Sequence, residues 1–183
     1  MLEDELGILI SAPAAAELAA HFESPAFVDA VQVFRGVRML SHRMSEASTE
    51  WLAPHDLTVA QYNFLAALFW SDREAGLSSR NIGRHLHTTS GTVTSMTDTL
   101  ERAGLVRRTA HSSDRRSIVI KLTPKGRRRF AAAAETQHAR VVAALGELSP
   151  DEVRALLALL VRAGNSLGGL MSRAADSPRE EAG

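Results

Sequence analysis

Seven histidines in a chain without cysteine pose the first chemical question, which is whether any of them has metal-site spacing. His85 and His87 stand two apart, so on a helix they point to different sides, unlike the i, i+4 pair of a helical zinc site. His42 and His55 are better placed to line a pocket. No Gly-rich phosphate loop follows a strand, no serine sits in a nucleophile elbow, and no carboxylate pair is spaced for general-acid work. The absence of cysteine removes disulfides, thiolate ligands and thiol redox sensing. The sequence predicts neither an enzyme nor a bound cofactor or metal.

The chemistry that is present suits phosphates and base edges. Thr89, Ser90, Thr92, Thr94, Ser95 and Thr99 crowd hydroxyls into one stretch around Gly91, and Arg107, Arg108 and the run Asp114-Arg115-Arg116 follow closely. The formal net charge is zero, yet residues 80–129 carry 12 Lys or Arg against 3 Asp or Glu, leaving 9 against 18 for the remainder. A block of +9 inside an otherwise acidic chain is the footprint of a nucleic-acid face, unless the two blocks neutralise each other within or between subunits.

Those residues need elements to position them. With 183 residues, 45% hydrophobic and 23% charged, one globular domain is expected. No run of eighteen apolar residues suggests a membrane span, and the first Lys or Arg is Arg35, so a secretory start is not expected and the chain is predicted to be cytoplasmic.

Ser24-Pro25 starts a long helix whose stripe Val33, Val37, Leu40, Met44, Ala47 and Trp51 repeats at four and three, a seam for a second subunit or for intrachain core. Pro54 closes it. Thr58 caps the next helix, with Tyr62, Leu65, Leu68 and Phe69 inward. A two-turn helix from Ser78 or Ser79 breaks at His87-Thr88. Another follows, capped by Thr89 or Ser90, lined by Val93, Met96 and Leu100 and ended by Gly104. Residues 105–109 and 117–122 read as strands joined by an arginine-bearing tip. Thr123-Pro124 and Ser149-Pro150 open two last helices, the final one with the stripe Val153, Leu156, Leu157, Leu160, Gly164 and Leu167.

In this order the sequence resembles the MarR family of bacterial regulators over roughly residues 26–168. The matches are Leu57-Thr58-Val59-Ala60-Gln61-Tyr62, Thr92-Val93-Thr94 with Asp98 and Leu100-Glu101, Gly104-Leu105-Val106-Arg107-Arg108, Asp114-Arg115-Arg116, and Leu122-Thr123-Pro124-Lys125-Gly126. The resemblance implies a mainly α fold with a small β-hairpin wing: a winged helix-turn-helix flanked by N- and C-terminal dimerisation helices. The corresponding division is an extension over 1–24 that forms an extra helix or frays, a dimerisation helix over 25–56, a DNA-binding lobe over 57–123, dimerisation helices over 124–171 and a disordered tail over 172–183. It also implies a homodimer on a pseudo-palindromic double-stranded operator, repressing genes until a small, often aromatic or anionic, effector releases it. The rival reading is a winged-helix module that binds another protein instead of DNA.

By that resemblance Thr89, Ser90, Gly91, Thr92, Thr94, Ser95 and Thr99 face the major groove, although Met96 and Thr99 stand where many relatives are similar to an arginine-bearing pattern. Hydroxyls give single hydrogen bonds, and threonine methyls meet thymine methyls, so modest, A·T-leaning readout is expected; some hydroxyls serve equally well as helix caps. Arg116 is expected in the minor groove, oriented by Asp114, with Arg115 beside it. Arg107, Arg108 and Ser78 are candidate phosphate contacts. An effector pocket is expected around His42, Arg43, Trp51, His55, Tyr62 and Trp70, of which either tryptophan fits plain core as well.

Overall fold

Helix starts are set by whatever satisfies the free N–H groups of a first turn, and this chain supplies that partner repeatedly. The computed structural model describes residues 11–22, 24–71, 76–110 and 118–176. Helix α1 (Ala12–His21) falls within the expected extension, and Phe22 after it packs on Phe27 of the next helix, ring centroids 4.5 Å apart. Helix α2 (Pro25–Leu52) follows the proline at its first turn and gives way to a 3₁₀ turn, Ala53–His55, where Pro54 stops the α geometry.

In α3 (Val59–Trp70) Thr58 and Gln61 form a reciprocal capping box. The Thr58 amide donates to Gln61 Oε1 at 2.9 Å and the Gln61 amide donates to Thr58 Oγ1 at 3.2 Å. Ser78 caps α4 (Ser79–His85) by accepting from the Asn81 amide, and Thr89 caps α5 (Ser90–Arg102) by accepting from the Thr92 amide. Helix α5 closes on Gly104 at φ +70, with the Gly104 amide on Glu101 O and the Leu105 amide on Leu100 O. This paired closure needs a left-handed residue, for which glycine has no steric cost. It also uses the Leu105 amide, so the first strand begins one residue later than expected.

Strands β1 (Val106–Ala110) and β2 (Ile118–Leu122) pair antiparallel with Val106 opposite Leu122 and Ala110 opposite Ile118. Leu77 exchanges both backbone hydrogen bonds with Ile120, so the residue ahead of α4 is tied to the hairpin. Thr123 then caps α6 (Pro124–Ala144): its hydroxyl accepts from the Gly126 amide at 3.0 Å and donates to Gly104 O at 2.7 Å.

One core serves α2 to α6 and both strands. Leu52, Leu57, Phe64, Leu65, Leu68, Ile82, Val93, Leu100, Leu105, Val106, Ile120, Phe130 and Ala133 form a continuous buried cluster. At about 25 cal/mol per Å² of apolar area removed from water, burial of this kind is the main stabilising term. Helices α4 and α5 and the hairpin are thereby held on one base formed by α3 and the start of α6.

The chain divides into two compact units after Gln137. The second contains the end of α6 and α7 (Pro150–Asp176), whose first turn is closed by Ser149 and Glu152: the Ser149 amide and hydroxyl donate to Glu152 Oε2, and the Glu152 amide donates back to Ser149 Oγ. These bonds to the charged form hold the Glu152 carboxyl below its ordinary pKa. Helix α7 reaches Asp176, past the expected tail start at residue 172, because Arg173, Ala174 and Ala175 favour helix and Pro178 restricts only the residue before it. Residues 177–183 of that tail lie outside the described residues, as do residues 1–10 of the extension. Among the described residues no helix is long and apolar enough to cross a membrane.

Candidate nucleic-acid interface

Helix α5 buries Val93, Thr97 and Leu100 and leaves Thr89, Ser90, Gly91, Thr92, Thr94, Ser95 and Asp98 exposed at its start and along its outer side. Its hydroxyls differ in what they have left to give. Thr94 and Thr99 each donate to the carbonyl four residues back, Ser90 O and Ser95 O, both at 3.0 Å, and buried Thr97 does the same to Val93 O at 2.7 Å. Thr89 and Thr92 hydroxyls face each other at 2.9 Å while Thr89 caps the helix. Thr94 and Thr99 therefore present acceptor lone pairs and methyl groups, whereas Ser90 and Ser95 keep a free hydrogen. The sequence's two roles for these hydroxyls, capping and outward recognition, are divided among individual residues.

The basic residues divide in the same way. Arg108 is clamped, with its guanidinium on Asp98 Oδ1 at 2.6 Å and Glu101 Oε2 at 2.5 Å, so its charge is already spent. Lys125 closes α5 by donating to Ala103 O at 2.8 Å, Arg127 lies over the Phe69 ring at 5.2 Å, and Arg129 meets Asp56 at 3.4 Å. Arg107 is exposed on β1 with no carboxylate partner among the described residues. Ser78 has its hydroxyl engaged as a cap. Asp114, Arg115 and Arg116 lie outside the described residues.

Sequence reasoning missed a second basic group. Arg80 and Arg84, one turn apart on α4, line a groove with Ser79, Gly83, His87, Thr88 and Ser90, beside the first turn of α5. The i, i+4 arginine spacing was the available signal. Ser90, the first residue of α5, thus shares a groove with two cations of α4.

A helix-turn-helix with a hairpin wing and this outer face also matches known proteins. The model of the MarR family matches residues 57–118. The transcriptional regulator TtmR of Methylorubrum extorquens is 38% identical over 105 residues, covering 57% of this chain and 52% of that protein, so the chain spans about half of it. The uncharacterized regulator YkoM of Bacillus subtilis is 30% identical over 135 residues, 74% of this chain and 86% of that one. Among solved structures, the repressor CouR on a 23-mer DNA duplex matches with a TM-score of 0.64 at 32% identity, covering 71% of this chain and 90% of CouR. The chain belongs to the MarR family.

Members of the MarR family are transcription regulators, not enzymes, and the winged-helix architecture expected from the sequence is the observed one. The six residues expected around an effector do not converge. His42 and Arg43 lie on the exposed side of α2 and face Glu46, at 3.5 and 4.0 Å. Trp51 is half-buried near the end of α2, and His55 Nε2 shares a 2.8 Å hydrogen bond with Thr136 Oγ1. Tyr62 stacks on Phe130 at 5.2 Å, and burial pushes its phenol pKa up. Trp70 is 77% exposed and lines a different groove with Ala67, Ser71, Leu77, Asn81, Arg84 and His85. Eight residues along a helix turn a side chain by about 80°, which separates Tyr62 from Trp70. Among the described residues no group of three His, Asp or Glu is placed to hold a metal ion.

Proposed function

We propose that this MarR-family chain is a homodimeric repressor that places α5 in the major groove of double-stranded DNA and its wing in the adjacent minor groove. The observation that carries the reading is the outer face of α5, where the hydroxyls of Ser90 and Ser95 are exposed and Ser90 shares a groove with Arg80 and Arg84 of α4. Side chains at that position reach base edges while the flanking cations meet phosphates. Arg116, with Asp114 orienting it and Arg115 alongside, is the wing contact of the same reading.

The dimer is supported by apolar surface left exposed among the described residues. Val33, Phe34, Val37, Leu40 and Met44 are exposed on α2, and Leu156, Leu157, Leu159, Leu160 and Val161 are exposed on α7. Continuous apolar faces of this kind mark association surfaces. Effector response is supported by a cavity of about 210 Å³ beside the first turn of α5, lined by Ala60, Asn63, Phe64, Leu86, Thr88, Thr92, Val93 and Met96. Its size and mostly apolar lining suit a single-ring compound, and occupation would press on the recognition helix directly.

The test is a gel shift with the DNA upstream of the chain's own gene, searched for half-sites about one helical turn apart. Specific retardation, weakened by rising salt, is expected. Binding of a protein partner with no retardation of DNA would overturn the reading in favour of a protein-interaction module.

A further inference from the structure

We propose that His87 is a DNA-backbone contact, taking one phosphodiester together with Arg80 and Arg84; the inference rests on the DNA-binding reading above and extends it to the turn between α4 and α5. His87 occupies that turn at φ +48. Left-handed backbone carries a steric cost for any residue with a Cβ, and glycine takes it freely, as Gly104 does at the end of α5. Histidine is among the residues that tolerate the region best, yet a turn needing only its geometry has glycine as the better solution. The side chain contributes nothing to packing that would offset the cost. It is exposed and makes no hydrogen bond, ion pair or ring contact with another described residue.

What the imidazole does have is a place. It lines one groove with Arg80 and Arg84 of α4 and with Ser90, the first residue of α5. Among the described residues no other titratable or charged side chain lines that groove and no carboxylate pairs with the two guanidinium groups, so its field is positive; Arg84 donates to Asn81 Oδ1 at 2.6 Å. Two guanidinium groups, an imidazole N–H and the Ser90 hydroxyl supply more donors than the two acceptors among them, the hydroxyl oxygen and a ring nitrogen. A phosphodiester oxygen is the acceptor a groove beside a major-groove helix would meet, and sugar-phosphate contacts of this kind fix a reading helix in register. His85 is turned away, into the groove of Trp70.

The chain and its H87G and H87N variants are titrated by fluorescence anisotropy against two duplexes of equal length, one from upstream of the gene and one of random sequence. H87G is expected to weaken binding to both by a similar factor, about three- to tenfold, with an unchanged ratio between them. Its melting temperature is expected to equal or exceed that of the parent, because glycine relieves the turn. H87N, which also tolerates left-handed backbone, is expected to show the same uniform loss. Parent-like affinity of H87G on both duplexes, a loss confined to the upstream duplex, or a lower melting temperature would each overturn the assignment. A parent chain that binds neither duplex would overturn the DNA-binding reading itself and this contact with it.

Discussion

Glu101 and Arg108 hold each other at two points: the Arg108 amide donates to Glu101 Oε1 at 2.9 Å and its guanidinium to Glu101 Oε2 at 2.5 Å. Asp98, one turn earlier on α5, takes the other guanidinium nitrogen at 2.6 Å. The recognition helix is therefore pinned to the first strand of the wing by a fork-shaped cation between two carboxylates, a geometry for which Arg is better suited than Lys. In the proposed reading the angle between helix and wing lets one lobe serve two grooves, so this clamp would link folding to DNA geometry.

The clamp predicts an acid-sensitive step. Hydrogen bonds from the Arg108 backbone and then its side chain hold the Glu101 carboxyl below its ordinary pKa of 4.5. A carboxyl with a lowered folded pKa contributes stability that is present above the unfolded value and lost as pH falls through the folded one. Glu101→Gln should therefore reduce the urea midpoint at pH 7 and leave a flatter decline below pH 4.5 than the parent shows. Urea titrations across that window check it. Parallel curves for the two proteins would dissociate Glu101 from the acid response.

A close approach predicts a structural failure. Gly126 lies where the first turn of α6 passes the Leu105 carbonyl, and a Cβ there would drive into that oxygen and its carbon. Backbone cannot yield as a flexible side chain does, so Gly126→Ala should destabilise by at least the 1–3 kcal/mol typical of overpacking, roughly. Chemical denaturation measures it. Gly91, open to solvent near Thr89 Oγ1, is the control: Gly91→Ala should leave stability the same or higher.

The local devices were legible because each acts over a few residues. Thr58, Ser78, Thr89, Gly104 and Thr123 announce caps and stops by their types alone, and the structure uses them as such. Pairings across elements were not legible. Arg108 read as a free cation because its partners lie seven and ten positions back, reached only when β1 folds onto α5. The expected effector residues failed to gather for the same kind of reason: Tyr62 is drawn into the core by Phe130, while Trp70 turns outward from the same helix. His87 reads in the sequence as half of an unsuitable metal pair and as the break after α4, and its left-handed backbone angle has no sequence signature.

Hydroxyl accounting predicts unequal roles along the recognition helix. Ser95 retains its hydrogen, while Thr99 has committed its own to Ser95 O. Ser95→Ala should weaken operator binding by roughly 1 kcal/mol per half-site, the worth of one hydrogen bond, and Thr99→Val should change it little. Anisotropy titrations with both variants decide between them. A larger loss for Thr99→Val would mean that the free-state bond is exchanged on the DNA.

Exposed leucines predict an assembly. Leu157 and Leu160 of α7 are 61% and 42% exposed in the single chain, an arrangement that association would relieve. Leu160→Glu should shift sedimentation from dimer to monomer, and it should cut operator affinity by about 10² or more, because two linked half-sites become independent. A variant that stays dimeric would place the interface elsewhere.

The wing supplies the last prediction. Arg116 belongs to the motif Asp114-Arg115-Arg116, between two strands whose register is fixed from Val106↔Leu122 to Ala110↔Ile118. In the proposed reading the tip enters the minor groove beside α5, and a guanidinium delivered to a narrow minor groove gains from the enhanced negative potential there. Arg116→Ala should cost roughly 1–3 kcal/mol on an operator whose flanks are A·T-rich, and less when those flanks are G·C-rich. Stability should be unchanged, since Arg116 belongs to a polar run between the strands in the sequence. Equal losses on both flank types would make Arg116 an ordinary phosphate contact, and unchanged affinity across several salt concentrations would remove it from the interface.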